Sequence, residues 1–192
     1  MSVREAVMRT TFVLVAAALL SCERTPPREL TKPVEEDTEW AMKNLRAQAQ
    51  ILAEAVRAED HGKVADLTHP GLVKHSGGKE KYVALLEKMA SDIRRQGFKY
   101  ASVTCAEPSK LVKGGEKLYA VVTTKSVMNG DDGSRLIVSG YLIALSADNG
   151  ATWKFLSGTK ATRDEVKQLL PLFPDELEIP AIGPPVVERP DK

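Results

Sequence analysis

The feature that most limits the fold is a change in hydrophobic period near residue 98. Before it, apolar residues recur every three or four positions, which places them on one face of a helix. After it, apolar and polar residues alternate over short stretches, as they do in β-strands. The sequence therefore predicts an α+β domain over residues 37–180, with N-terminal helices packed on a curved antiparallel sheet of four to five strands.

Two long helices are predicted in the first part of this domain. One starts at residue 37, ends at Gly62, and carries an apolar stripe: Ala41, Leu45, Ala49, Leu52 and Val56. The other covers residues 79–96, and its stripe is Tyr82, Leu86, Met89 and Ile93. A short helix over residues 63–67 and a short strand over residues 71–75 are expected between them.

Four strands are predicted at residues 98–106, 116–128, 135–146 and 152–156. The third is apolar on both faces over much of its length, so we expect it to be central and covered on both sides. A capping box at Thr162 to Glu165 predicts a short C-terminal helix. Residues 181–192 are rich in proline and predict a disordered tail.

This order of elements resembles the nuclear-transport-factor-two-like superfamily, also called cystatin-like cone folds. The resemblance covers residues 37–156 and implies a sheet that wraps around the helices and leaves a cone-shaped cavity. Some relatives are isomerases, cyclases or dehydratases with an Asp or His base in that cavity, and others bind small molecules or proteins. Residues 170–174 lie outside the common cone and are expected to cover an edge or the cone's mouth.

The N-terminus has the parts of a secretory signal. Arg4 and Arg9 precede an unbroken apolar run over residues 12–20, which is too short to span a bilayer. The run ends in Leu-Leu-Ser-Cys at residues 19–22, which resembles a lipobox, the site cut by lipoprotein signal peptidase.

That resemblance implies a signal peptide over residues 1–21, a lipid anchor on Cys22, and a flexible tether over residues 22–36. The expected location is the cell envelope, at the periplasmic face of the outer membrane if the source is Gram-negative. The first 21 residues hold two of the 27 basic and one of the 26 acidic residues, so the remainder has no net charge. Nothing in this balance steers the domain toward nucleic acid.

One hairpin carries a sharper pattern. Residues 146–153, Ser-Ala-Asp-Asn-Gly-Ala-Thr-Trp, match the Asp-box pattern S-x-D-x-G-x-T-W. In Asp-boxes the carboxylate accepts bonds from backbone amides of the turn and the tryptophan packs beneath it. Asp-boxes occur in sialidases and other propellers. A propeller needs many such repeats, and this chain has one. Asp148, Gly150 and Trp153 therefore predict a stable structural hairpin.

No catalytic residue, metal site or cofactor is predicted. The three histidines lack metal-ligand spacing, and Asp66 with His69 is the one acid–base pair considered. Cys105, the thiol left once Cys22 is lipidated, is expected to be buried and inert. Four tyrosines are candidates for lining a ligand cavity, with ordinary core packing as the alternative: Tyr82, Tyr100, Tyr119 and Tyr141.

Two functions stay open at this point. The first is a non-catalytic module that binds an unknown envelope protein or small molecule, with homodimerisation through the open sheet face as a further option. The second is a small-molecule enzyme of the isomerase, cyclase or dehydratase type. An ionisable side chain buried in an apolar pocket would favour the enzyme.

Overall fold

The structure is a computed structural model that describes residues 34–158 and 161–189. The predicted signal peptide, Cys22 and the tether up to residue 33 lie outside the described residues. Among the described residues, no helix combines the length and the apolar character needed to cross a bilayer.

The described part of the chain begins with four helices: α1 (Val34–Arg57), α2 (His61–Leu67), α3 (Pro70–His75) and α4 (Lys79–Arg95). α1 begins at residue 34, so the prediction that the tether extends to residue 36 is wrong for its last three residues. The predicted stripe of α1 is confirmed as core, because Ala41, Leu45 and Ala49 are almost completely buried. The stripe of α4 is only half covered, since Met89 keeps 54% of its surface exposed.

The strand predicted over residues 71–75 is wrong, because this segment is α3. Pro70 occupies the first helical turn, where its missing N–H costs nothing. The imidazole Nδ1 of His69 accepts a hydrogen bond from the backbone N–H of Gly71 at 3.2 Å and so caps the helix. Proline and a local cap therefore decide the structure of this short apolar segment.

Six strands of the described residues form one open antiparallel sheet: β1 (Phe98–Cys105), β2 (Val112–Gly114), β3 (Lys117–Gly130), β4 (Arg135–Ser146), β5 (Lys154–Gly158) and β6 (Val186–Glu188). β3 and β4 pair over their full length and form its centre. β1 and β2 share the outer edge of β3, and β5 and β6 share the outer edge of β4. The α+β class and the central position of β4 are confirmed, whereas the cone shape stays a prediction.

Alternate residues of β3 and β4 enter two separate cores, because successive side chains of a strand point to opposite faces. On one side, which we call the helix face, Ala120, Val122, Leu142 and Ala144 pack against α1 and α2. On the other, which we call the cover face, the inward side chains are Tyr119, Val121, Tyr141, Ile143 and Leu145.

Residues 163–182, here named the C-terminal cover, pack on the cover face. The cover begins with α5 (Arg163–Leu169), whose predicted capping box is confirmed: Thr162 N donates to Glu165 Oε2 at 2.7 Å, and Glu165 N donates to Thr162 Oγ1 at 3.3 Å. Val166, Leu170, Phe173 and Leu177 are buried against the sheet. Residues 170–174 thus cover a sheet face, where the sequence predicted that they cover an edge or a mouth.

The tail after residue 181 is not wholly disordered. β6 pairs with the first three residues of β4, so the predicted disorder is wrong for residues 186–188. The sequence missed β6 and β2 because each is three residues long, too short for an alternating pattern to stand out.

Candidate functional site

A cavity of about 200 Å³ lies between the helices and the helix face of the sheet. Its walls come from elements that the sequence separates widely. The helical wall is formed by Leu52, Ala53, Val56, Val64, Thr68, Tyr82 and Leu86. The sheet wall is formed by Val103, Cys105, Thr124, Ser126, Leu142, Phe155 and Ser157.

The two walls differ in polarity. The helical wall is apolar except at Thr68 and Tyr82, since α1 turns its predicted stripe inward. The sheet wall carries hydroxyl groups at Thr124, Ser126 and Ser157. They belong to the strand positions that follow Val122 and Phe155 at steps of two, so all of them face the helices. The alternation of these hydroxyls in the sequence was a signal that our prediction of the lining did not use.

Neighbouring strands bring the sheet-wall residues together. In the register of β1 and β3, Cys105 lies opposite Thr124, and Val103 lies opposite Ser126. On the next strand, Thr124 lies opposite Gly140, which has no side chain to fill the space above it. The cavity therefore has a floor that mixes methyl, thiol and hydroxyl groups.

Thr68 and Tyr82 form the inner polar corner, and both are more than 90% buried. Thr68 Oγ1 donates a hydrogen bond to the Val64 carbonyl at 2.7 Å, and it lies 3.5 Å from the Tyr82 hydroxyl oxygen. A separation of 3.5 Å is at the outer limit of a hydrogen bond. The Tyr82 hydroxyl can therefore turn toward a polar group in the cavity at little cost.

The described lining of the cavity contains no group that is charged at neutral pH. Its titratable residues are Tyr82 and Cys105, and it includes no Asp, Glu, His, Lys or Arg. Cys105 is half-buried, where the sequence predicted full burial, and this burial raises the pKa of its thiol. The Cys105 Sγ lies 3.6 Å from the Ala49 carbonyl, to which it donates. Cys105 is therefore protonated at neutral pH and a poor nucleophile.

Two of the four candidate tyrosines lie on this side of the sheet. Tyr82 lines the cavity itself. Tyr100 lines an adjacent space of about 80 Å³, which shares Val56, Val64 and Leu86 with the cavity as common walls. Burial raises the pKa of Tyr100.

Tyr119 and Tyr141 do not line the cavity, contrary to the prediction. Both belong to the cover face, because they occupy odd positions in strands whose even positions face the helices. Tyr119 packs edge-on against Phe173, and the Tyr141 hydroxyl donates to the Ala161 carbonyl at 3.1 Å. Burial raises the pKa of both phenols. The sequence shows which strand residues share a face, but not which face the helices cover.

The Asp-box hairpin has the predicted internal bonds. Asp148 accepts from the backbone N–H of Thr152 at 2.8 Å and from its hydroxyl at 2.6 Å, and these bonds lower the pKa of the carboxyl. Gly150 has a φ of 95°, as the turn requires. Trp153 is fully buried and donates from Nε1 to the Gly150 carbonyl at 3.1 Å.

The hairpin also fixes α1 to the sheet. The Asn44 amide donates to the Gly150 carbonyl at 3.1 Å, and the Gln48 amide donates to the Ala151 carbonyl at 3.0 Å. A Cβ on Gly150 would lie 2.2 Å from the Cβ of Ala41, so only glycine fits here. The hairpin therefore holds α1 against the sheet on the N-terminal side of the residues of α1 that line the cavity.

Asp66 and His69 do not form the acid–base pair that the sequence offered. Asp66 binds the ammonium group of Lys79, and Lys154 donates to the Asp66 carbonyl. These groups border an open groove of about 490 Å³ beside α3, which is larger than the cavity but faces solvent. The pKa of His69 is lowered, chiefly by burial, so its imidazole is neutral and serves as the cap of α3.

The described residues hold no group of three or more His, Cys, Asp or Glu side chains placed to bind a metal ion. The sequence matches no protein-family model and none of the curated proteins. The geometry of the cavity is therefore the main observation on which a function can be based.

Proposed function

We propose that this chain is a lipid-anchored lipoprotein of a bacterial envelope, and that its domain binds a small neutral molecule without catalysing a reaction. The observation that carries the proposal is the cavity: it lies between helices and sheet, is mostly apolar, and its described lining offers hydroxyls rather than charged groups. Binding sites for small molecules share this combination of apolar walls and a few polar groups.

The size of the cavity limits the ligand. A protein cavity of about 150 Å³ accepts benzene, and one water takes about 30 Å³ of liquid volume. A cavity of about 200 Å³ therefore suits a molecule of roughly six to ten non-hydrogen atoms. Drug-sized ligands occupy larger sites, so we expect a compact ring or a short branched chain.

The polarity of the cavity limits the ligand further. A carboxylate or ammonium would be buried here without a counter-charge, which is costly. A single hydroxyl or carbonyl could instead bond to Tyr82 at the inner corner or to Thr124 and Ser126 on the floor. The proposed ligand is therefore uncharged, with an apolar body and one polar group.

The enzyme alternative has less support. Isomerases and dehydratases need a base whose pKa lies near the working pH, and the described lining residues offer no carboxylate or imidazole. The thiol of Cys105 is protonated and bonded to a carbonyl, so it does not replace such a base.

Benzyl alcohol is a suitable probe because it is a compact ring with one hydroxyl and about eight non-hydrogen atoms, within the size that the cavity allows. At roughly 0.5 kcal/mol per non-hydrogen atom, we expect a dissociation constant of about 1 mM. Binding would be followed by NMR chemical shifts on the purified chain. Benzoate, of the same shape but charged, should not bind.

A matched pair of variants tests where the probe binds. Thr124→Leu places a larger side chain in the cavity, whereas Thr123→Leu changes the adjacent, exposed residue on the other face of β3. We expect Thr124→Leu to weaken benzyl alcohol binding at least about tenfold and Thr123→Leu to leave it unchanged. Equal binding by both variants, or equal binding of benzoate, would contradict the proposal.

The anchoring half of the proposal is tested separately. It rests on the apolar run over residues 12–20 and on its end at Cys22. Bacteria that express the chain should incorporate radioactive palmitate into it, and Cys22→Ala should abolish the label. Label in the alanine variant, or none in the wild type, would refute the lipid anchor but leave the cavity proposal standing.

A further inference from the structure

The outer edge of β4 is filled by two separate segments of the chain. β5 pairs with residues 141–145, and β6 pairs with residues 135–137, so residues 138–140 lie between the two partners. We propose that the edge at residues 135–137 is a strand-addition site that β6 of a second copy of this chain occupies by reciprocal exchange. The proposal is independent of the cavity and of its ligand.

β6 matches this edge of β4 in its strand pairing and in its charge. Val187 lies opposite Leu136, and Val186 lies opposite Ile137. The Arg135 guanidinium binds the Glu188 carboxylate at 3.1 Å, and these two residues lie opposite each other in the register. A second copy presents the same edge and the same strand, so every contact made within one chain can also form between two.

β6 is held weakly within its own chain. Val186 and Val187 keep 55% and 53% of their surfaces exposed, so neither joins a core. The last side chains that pack with the cover-face cluster, Ile179 and Ile182, precede β6. Three paired residues and one exposed ion pair therefore hold the strand, and an exposed ion pair contributes little.

The linker to β6 suits exchange. It consists of Gly183, Pro184 and Pro185, and a Cβ on Gly183 would meet nothing within 4 Å. Proline pairs favour an extended chain of about 3.1 Å per residue. A stiff, solvent-facing linker can carry β6 away from its own domain as readily as toward it.

Reciprocal exchange closes the assembly. If each chain of a pair places β6 on its partner's β4, both edges are filled and no further copy can add. The cover face plays no part, because the C-terminal cover occupies it. The inferred dimer therefore differs from the dimer through the sheet face that the sequence suggested.

The charge pair allows a direct test on the purified full-length chain. Arg135→Glu and Glu188→Arg each place like charges together within one chain. When the two variants are mixed, each chain of an exchanged dimer places its β6 on the other variant's β4. One edge then pairs the two substituted residues, whose new charges are opposite. The other edge pairs the original Arg135 and Glu188. We expect the mixture to dimerise at least about tenfold more tightly than either variant alone, by sedimentation equilibrium up to about 1 mM.

Two controls keep the test decisive. The double variant Arg135→Glu/Glu188→Arg restores the pair within one chain and should associate like the wild type. Val186→Pro in both mixed variants removes the backbone N–H of β6 opposite Ile137 and should abolish the gain. A mixture that sediments like its separate components, or a gain that survives Val186→Pro, would overturn the proposal.

Discussion

Four N-terminal helices cover one face of the sheet, and the C-terminal cover, a short helix followed by irregular chain, covers the other. The helix face retains a cavity of about 200 Å³. The cover face carries interlocking side chains, among them the edge-to-face pair of Tyr119 and Phe173, whose ring centroids are 5.9 Å apart. A groove of about 450 Å³ between Tyr141 and residues 179–182 is open to solvent. A helix is a rigid cylinder and leaves gaps where it diverges from a sheet, whereas an irregular segment can follow the surface. The proposed ligand site lies on the helix face.

The largest expected effects come from the aromatic anchor of each face. Trp153→Ala and Phe173→Ala each remove a buried ring, at about 3–5 kcal/mol. We expect Trp153→Ala to lower the stability of the whole domain, because Trp153 lies in the core with α1. Phe173→Ala should first release residues 163–182, since they form a short unit that can open on its own.

Hydrogen exchange followed residue by residue separates the two outcomes. In the Phe173→Ala variant, amides of the C-terminal cover should exchange well before those of β3 and β4. If both variants instead unfolded in a single cooperative transition with the same midpoint, the helical layer and the C-terminal cover would not be independent.

Two adjacent residues of β4, whose side chains have the same size, allow the two faces of the sheet to be compared. Ile143 is 1% exposed and packs under the cover, and Leu142 is 6% exposed and lines the cavity. Large-to-Ala changes in cores cost about 2–5 kcal/mol, and the cost depends on lost contacts. We expect Ile143→Ala to cost about 1 kcal/mol more than Leu142→Ala, because Leu142 already borders empty space. Urea unfolding would measure both, and a larger cost for Leu142→Ala would contradict the contrast.

The third comparison concerns the polar contact that fastens the C-terminal cover. Arg163 donates from Nη1 to the Pro174 carbonyl at 3.0 Å and from Nη2 to the Leu177 carbonyl at 2.5 Å, and it lies 5.4 Å from the centroid of the Phe173 ring. Because a third of the side chain is exposed, we expect Arg163→Met to cost only about 1–2 kcal/mol. Arg163→Lys, which keeps the charge but not the fork, should lose about half as much. Thermal melts of both would test this, and an unchanged Arg163→Met variant would refute it.

The smallest effect is expected at Asp148, on the helix-face side. Asp148→Asn weakens the bonds to Thr152, and its cost at neutral pH should be about 1 kcal/mol, at the low end for a charged acceptor because the carboxylate is exposed. Folding lowers the pKa of Asp148. Its contribution is therefore complete above the unfolded pKa of about 3.9 and is lost as the pH falls through the folded value.

Stability measured between neutral pH and about pH 2 checks this sign. The gap between wild type and Asp148→Asn should be widest at neutral pH and should shrink on acidification. A gap that widens in acid would show that the carboxylate is not the stabilising form.

The sequence predicted the elements far better than their assembly. The limits of β4 at residues 135 and 146 agree with its apolar run, and the capping box at Thr162 marks the start of α5 correctly. These signals are local: a period, a turn residue, a cap. The prediction of a strand over residues 71–75 was wrong because a proline and a histidine cap outweighed a short apolar pattern.

The candidate site was predicted less well, for a physical reason. Strand alternation groups Tyr119 with Tyr141, and Thr124 with Ser126, but it does not say which group faces the helices. That choice depends on contacts between α1 and the hairpin at Gly150, which lie far apart in the sequence. Tyr82 was found because a helical stripe points to one side only.

The position of the C-terminal cover also governs how the domain is made. Tyr141, Ile143 and Leu145 of β4 are covered by residues that leave the ribosome only after β1 to β5 have been synthesised. Until Leu177 is available, this apolar strip is open to chaperones, proteases and neighbouring chains. A chain cut short before that residue keeps the whole helix face and the Asp-box hairpin, yet it carries an adhesive surface that the complete chain hides.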